Sequence, residues 1–324
     1  MKTLLAALAF ATSLGCISPA SAQVYPARSV TMVVPFSAGG PTDTLGRTMA
    51  QRMGKALAQT VVVENTTGAG GSIGVGRVAR AAPDGYTVGI SHWSTHVVNG
   101  VIYNLPYDLI RDFEPVAMIA SNPQLVVSKN AIAAKDLKDL IAWVKANESK
   151  VSPGTAGVGT ASHVSAVYFQ NITGTRLQFI HYRGAAPAMQ DLLAGHIDLM
   201  FDQAANSLAQ VRAGKIRVYA VTQKTRLAAA PEIPTVDEAG LPGFYIAVWH
   251  GIWVPRGASK EIVAKLNAAI VEALADPALR QRYGDLGQEI PPREQQTPEA
   301  LGAYHRAEIE KWWPLIKAAG IRAE

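Results

Sequence analysis

Short β-branched runs alternate with longer helical stretches along the whole chain, and this alternation restricts the fold more than any single motif does. Ser29–Val34 reads as a strand ended by Pro35, Thr60–Glu64 as a second strand and Tyr86–Ile90 as a third. Leu125–Val127, Leu177–Ile180, Leu199–Phe201 and Val218–Val221 continue the series. Between them, apolar residues return at helical spacing over Thr44–Leu57, Ile73–Ala81, Asp136–Ala146, Ser162–Gln170, Ala186–Leu193 and Leu208–Ala213. Two more helices are expected near Lys260–Ala275 and Pro298–Ala319. This order predicts an α/β fold with largely parallel sheets. No repeat or linker divides the chain. Two domains would need a chain that crosses between them more than once, and Ala120–Pro123 and Leu241–Trp249 are the candidate crossings.

The start of the chain sets the compartment. Met1-Lys2-Thr3 is a short positive segment, Leu4–Leu14 is apolar, and Ala20-Ser21-Ala22 is a small-residue site before Gln23. That is the layout of an export signal over residues 1–22, with an apolar run too short to span a bilayer. A soluble periplasmic protein starting near Gln23 is expected. Ser13-Leu14-Gly15-Cys16 resembles a lipoprotein processing site, but Ser13 stands where Leu is usual, so lipid anchoring at Cys16 is not expected. Cys16 is the one cysteine among 324 residues. Its removal would exclude disulfides, zinc–thiolate sites and thiol nucleophiles. The formal charge of +5 is dispersed, with no run dense enough for nucleic acid. It suits weak attraction of small anions.

Three glycine-rich segments invite a ligand. Pro35-Phe36-Ser37-Ala38-Gly39-Gly40-Pro41-Thr42-Asp43 joins the first strand to the first helix. Its glycines permit close backbone approach, and the helix start offers N–H groups and a positive dipole end to an anion. It also reads as a plain βα turn with Asp43 as the helix cap. Gly154–His163 opens a later helix, where Thr160 or Ser162 can cap and also offer a hydroxyl to a ligand. His163, just inside that helix, reads more readily as structural. The third segment, Asn65–Gly74, contains Gly70-Gly71-Ser72-Ile73-Gly74, which matches a hydrolase elbow; Ser72 falls too far beyond the strand end near Glu64 for that role. Ile73 occupies the place of the last glycine of a dinucleotide loop. His92 and His96 have helical spacing, but no third metal ligand is indicated, and nothing marks a catalytic pair among Asp43, Asp198 and Asp202. No metal and no cofactor is expected.

Taken in order, a longer set of segments carries a family resemblance. They are Tyr25-Pro26-Ala27-Arg28, Val34-Pro35-Phe36 with Gly39–Asp43, Val63-Glu64-Asn65 with Gly68–Gly71, Pro83–Thr87, Tyr107-Asp108 and Asp112–Val116. His181–Gly184, Gly195–Asp202, Pro234–Gly240 and Trp249 follow. Over its mature length the chain resembles the periplasmic solute-binding proteins of tripartite tricarboxylate transporters, the Bug family. The resemblance implies a two-domain periplasmic binding protein fold, type II-like, with a ligand cleft between domains that close by hinge motion. Domain 1 would comprise residues 23–122 and 246–324, and domain 2 residues 123–245. It implies a monomer without catalysis that captures a small carboxylate and delivers it to membrane permease subunits. One carboxylate would sit against the loop of Phe36, Ser37, Ala38, Gly39, Gly40 and Thr42. Gly157, Thr160, Ala161, Ser162 and His163 would face it, with Asp202 also lining the cleft and bridging waters helping.

Ser91, Trp93, Tyr182 and His250 complete the candidate site. The run Ser91–His96 with Trp249-His250 is bulkier than the family pattern suggests, and its rings could form a wall for an aromatic dicarboxylate or serve as core packing. Two other functions keep the same sequence features: an exported α/β hydrolase using Ser72, and a ligand-sensing subunit of a membrane receptor.

Overall fold

The computed structural model describes residues 25–322. The expected export signal and Cys16 lie outside the described residues. β1 (Val30–Val34) leads into α1 (Pro41–Leu57), β2 (Val61–Asn65), α2 (Ser72–Ala79) and β3 (Thr87–His92). A π-helical turn, Ser94–Val98, and a one-turn α3 (Asn99–Ile102) follow. Next come β4 (Phe113–Lys129), α4 (Leu137–Ala146), β5 (Pro153–Thr155), α5 (Ala161–Thr173), β6 (Ile180–His181), α6 (Ala185–Ala194), β7 (Leu199–Gln203), α7 (Ala204–Arg212) and β8 (Ile216–Val221). The last elements are β9 (Ala247–Pro255), α8 (Lys260–Ala275), α9 (Pro277–Asp285) and α10 (Pro298–Ala318).

The strands lie in the order β2-β1-β3-β9-β4-β7-β5-β6, with β8 also on β4. β1 pairs in parallel with β2 and β3, and β5 with β6 and β7. The expectation of largely parallel sheets is corrected at the centre. β9 runs antiparallel to β3 and β4, and β4 runs antiparallel to β7 and β8. The cause is β4, a 17-residue strand that belongs to both halves of the sheet. Phe113–Pro123 pairs with β9, and Gln124–Lys129 with β7 and β8. A strand that leaves one half for the other and a strand that returns must run in opposite directions. Pro115 has no N–H for the ladder, and the register against β9 shifts just after it.

Each half has its own packing. On α1, Leu45, Met49, Met53 and Leu57 recur every four residues and bury against Val30, Met32 and Val34 of β1 and Leu266 and Ile270 of α8. Each such side chain contributes about 1.5–3 kcal/mol when removed from water. In the other half, Met189 and Leu192 of α6 and Leu208 of α7 cover Leu125, Val127 and Met200. Where β4 changes partners, a third segment meets it. Ser121 and Glu289 exchange backbone hydrogen bonds of 2.8 Å each way. Asn122, fully buried, donates to the Gly287 carbonyl at 2.7 Å and accepts from the Ala205 N–H at 3.3 Å.

Candidate functional site

A small cavity of about 30 Å3 lies where the two halves of the sheet meet. Phe36, Gly40, Pro41 and Thr42, from the β1–α1 connection, and His92, at the end of β3, line one side. Gln124 of β4, Ala156 and Thr160–Ser162 after β5, Ala185 of α6 and Phe201–Gln203 of β7 line the other. An adjoining cavity of about 230 Å3 shares Phe36 and Ala156 and runs on to Gly68–Gly71, Gly157 and Tyr182. The bottleneck between halves is narrow. A Cβ on Gly184 would come 2.1 Å from Ser37 Oγ, and one on Gly159 would come 1.9 Å from Ile102 Cδ1, so only glycine allows this approach.

Helix capping differs along the molecule; α2 and α3 start without a side-chain cap away from this cavity's lining. The starts of α4, α8, α9 and α10 are capped by Asp136, Ser259, Asp276 and Thr297, each accepting a backbone N–H three residues on. The starts of α1, α5, α6 and α7 carry no side-chain cap, and all four border the cavity through Gly40, Thr160, Ala185 and Gln203. Their first N–H groups and positive dipole ends therefore converge on one small space. Among the lining residues there is no Lys or Arg. An anion held here would be held by neutral donors and helix ends.

The expected caps are corrected. Thr160 stands at the cap position of α5, but its hydroxyl donates to the Gly157 carbonyl at 2.6 Å and lies 3.0 Å from Ser162 Oγ. Ser162 Oγ accepts from the Ala156 N–H at 2.8 Å. Both hydroxyls thus brace the loop. Asp43 lies inside α1 and reaches back to the Gly39 N–H at 2.8 Å, while accepting from Arg47 Nε at 2.9 Å and Asn65 Nδ2 at 2.8 Å. Burial would raise its pKa, but the Arg47, Gly39 and Asn65 hydrogen bonds outweigh that and hold the carboxyl below its ordinary range. Asn65 also donates to the Phe36 carbonyl at 2.9 Å, tying the loop to β2.

Asp202 is the one charged side chain lining the cavity. Burial pushes its pKa up to about 6, partly offset by Ser207 Oγ at 2.6 Å and Asn206 Nδ2 at 2.7 Å, which both donate to Oδ2. Ser37 Oγ and Gln203 Oε1 are buried polar atoms with no protein hydrogen-bond partner, and such atoms call for a ligand or water.

The other candidate residues fall around this centre. Ala38 and Gly39 are exposed on the loop, whereas Gly157 and Tyr182 line the adjoining cavity. Ser91 is buried in β3 opposite Gly251. His163 turns away from the cavity: its Nδ1 accepts from the Gly159 N–H at 3.1 Å, and its ring meets Phe179 and His181 edge-on. Burial, with His181 beside it, lowers its pKa to about 4. His250 stands behind the lining, 3.3 Å from Thr42 Oγ1 and edge-on to His92. The tryptophan wall is not formed. Trp93 packs edge-on against Trp312, and Trp249 packs on Tyr304 and donates to Glu308 at 3.1 Å. Ser72 Oγ accepts from Asn99 Nδ2 at 2.9 Å, and among the described residues no histidine bonds to it. Among the described residues, no three of His, Cys, Asp and Glu could hold a metal ion. Among the described residues, no helix is long and apolar enough to cross a membrane.

Gln124, Ala156, Ala185, Phe201 and Gln203 line the cavity without having been singled out in the sequence. Ala185 carried a usable signal: Tyr182-Arg183-Gly184 ends in a glycine before a helix, as the β1–α1 connection does.

Residues 45–321 match the tripartite tricarboxylate transporter family receptor. Among solved structures, the periplasmic binding protein BugD is 40% identical with a TM-score of 0.89, covering 93% of this chain and 100% of its own. MatC from Rhodopseudomonas palustris with bound malate is 37% identical, with a TM-score of 0.87, over 90% of this chain and 100% of its own. A second R. palustris protein, Rpa4515 with adipate, is 33% identical, with a TM-score of 0.87, over 92% and 99%. A match over this share of the chain, with a fold of the same kind, places the protein: it belongs to the tripartite tricarboxylate transporter receptor family of periplasmic solute-binding proteins.

Proposed function

We propose that this chain captures one small carboxylate between two lobes, 23–122 with 246–324 and 123–245, and closes over it by hinge motion. It then delivers the anion to the membrane subunits of a tripartite tricarboxylate transporter. The observation that carries this reading is the set of four uncapped helix starts around a cavity without Lys or Arg. The change of partners along β4 between Pro123 and Gln124 supports the lobe division. The malate and adipate in MatC and Rpa4515 support the ligand class. A cavity lining without a tryptophan wall favours aliphatic acids over aromatic ones. We read the protein as a non-catalytic periplasmic monomer.

Affinity on the order of micromolar corresponds to about −8 kcal/mol. Ligand at ~100 times its dissociation constant then adds roughly 2.7 kcal/mol of stability. The test is a thermal-shift screen with malate, succinate, adipate, citrate and terephthalate. A raised melting temperature with an aliphatic acid is expected, and no shift with any of them would refute the ligand class. Small-angle scattering with saturating ligand tests the closure.

A further inference from the structure

We propose that His92 is a specificity-determining residue of the cleft, a neutral imidazole whose Nε2–H donates to a carboxylate oxygen of the bound anion. The proposal rests on the carboxylate reading above and names the side chain that distinguishes this anion from other ligands. Neither the glycine loops nor the helix starts require a histidine here.

The tautomer follows from the local geometry. The Ser94 backbone N–H points at His92 Nδ1 over 3.2 Å. A backbone N–H can only donate, so Nδ1 accepts and the ring proton sits on Nε2. Ser94 Oγ lies 3.1 Å from the same nitrogen and fits it as a second donor. The ring is held flat against Phe36, with centroids 4.6 Å apart and planes within 5°, and His250 meets its edge at 5.2 Å. The ring is thereby locked in the cavity lining. Nε2 has no hydrogen-bond partner among the described residues, and it is not one of the buried polar atoms sealed away without a partner. The side of the ring left open therefore presents an N–H to the cavity.

The charge state follows from the surroundings. The titratable groups around the ring are His250 on β9 and His96 in the following turn, both buried bases, and Asp202 of β7 lines the same cavity. Burial, and then His250, hold His92 well below the ordinary histidine range. A neutral donor of fixed direction favours an oxygen acceptor and offers nothing to an ammonium group. It also keeps its proton through the neutral range, so this one hydrogen bond does not switch off as pH rises.

The experiment uses the mature wild-type protein with His92→Phe and His92→Gln. Calorimetric titrations with L-malate and adipate are run from about pH 5.5 to 8. Phe keeps the stack on Phe36 and deletes the donor; Gln restores an N–H. For an acid that binds wild type, the Phe variant should bind roughly 10- to 100-fold more weakly, the usual cost of losing a hydrogen bond to a charged group. The Gln variant should recover part of the loss, and the ratio of wild-type to Phe-variant affinity should stay level across the pH range, because ionisation of Asp202 in the same cavity acts on both proteins. Long-range 15N spectra of the wild type should show Nδ1 unprotonated and Nε2 protonated, with the Nε2–H signal moving when malate or adipate is added. Equal affinity in the Phe variant would overturn the proposal, as would nitrogen spectra with both ring nitrogens protonated at neutral pH, the mark of a cationic ring. If the Phe variant does not fold, the nitrogen spectra decide. A wild type that binds neither acid refutes the carboxylate reading itself, whereas equal binding by wild type and the Phe variant refutes only the role of His92.

Discussion

Replacing Gly70 by Ala should cost both stability and ligand affinity, through two separable effects. Gly70 sits in the left-handed region, at φ +59°, on the Gly68–Gly71 loop. A Cβ there would come 2.6 Å from the Val158 carbonyl oxygen across the cleft, and 3.2 Å from the Tyr103 ring and hydroxyl. Tyr103 OH donates to that same Val158 carbonyl at 2.9 Å, so the new methyl also disturbs a bond that joins the halves. Ala in a left-handed conformation costs about 1–2 kcal/mol wherever the lobes stand. The clash is different, because it exists only when the halves are together. Overpacking of this kind costs about 1–3 kcal/mol, which is roughly 5- to 150-fold in affinity. Gly174→Ala is the matched control. Gly174 has φ +65° and nothing within 4 Å of its added Cβ, so it carries the backbone cost without the clash. Titration with malate or adipate, beside urea unfolding without ligand, separates the two terms. Both variants should lose similar stability, and only Gly70→Ala should lose affinity. Binding by Gly70→Ala within about twofold of wild type would refute a ligand-bound state as closed as this structure.

Three further outcomes follow from the site. Asp202 has a folded pKa raised to about 6, so its neutral form is favoured and stability is lost as pH rises from about 4 through 6. Two pKa units correspond to at most about 3 kcal/mol; Asp202→Asn should remove that fall in melts at pH 4.5 and 8, and an unchanged slope would place the titration elsewhere. Asn65→Ala deletes the amide that joins Phe36 and Asp43, so affinity should drop roughly tenfold through a loosened loop; unaltered titrations would show the loop holds itself. Ser72→Ala loses the Asn99 bond and about 1 kcal/mol of stability while binding stays intact; ester hydrolysis by wild type that vanishes in this variant would overturn the non-catalytic reading.

The Pro35–Asp43 loop was legible because a strand, a glycine run and a helical period stand next to one another in sequence, and the Gly154–His163 loop because its glycine run opens a helical period. The strands that join the halves were harder to see. β4 contains Pro115 and Pro123, which punctuate a sequence as turns, so only Leu125–Val127 stood out from a strand reaching Phe113 to Lys129. Gln124 was hidden for the same reason, because its place in the cleft comes from where β4 changes partners. Trp93 and Trp249 show the reverse error. Their proximity in sequence to cavity residues suggested a wall, but alternation along β9 turns Trp249 to the face opposite His250, and Trp93 begins the helical turn that follows β3. Trp93 and Trp249 meet the aromatic residues of α10 instead, a contact no local pattern encodes.

The position of β9 has a consequence for how the chain reaches this arrangement. It is the last strand in sequence, yet it lies in the middle of the sheet, between β3 and β4. Until residues 247–255 are available, β3 and the first half of β4 each expose an unpaired edge. Some 120 residues of intervening chain, enough to form β5 to β8, must be made first. Early local pairing therefore cannot complete the first half, and its closure is a late, long-range event of the kind that slows folding. A chain stopped after β8 would retain the α1 stripe and the first glycine loop but present two sticky edges. Aggregation of such fragments is the expected failure of incomplete synthesis.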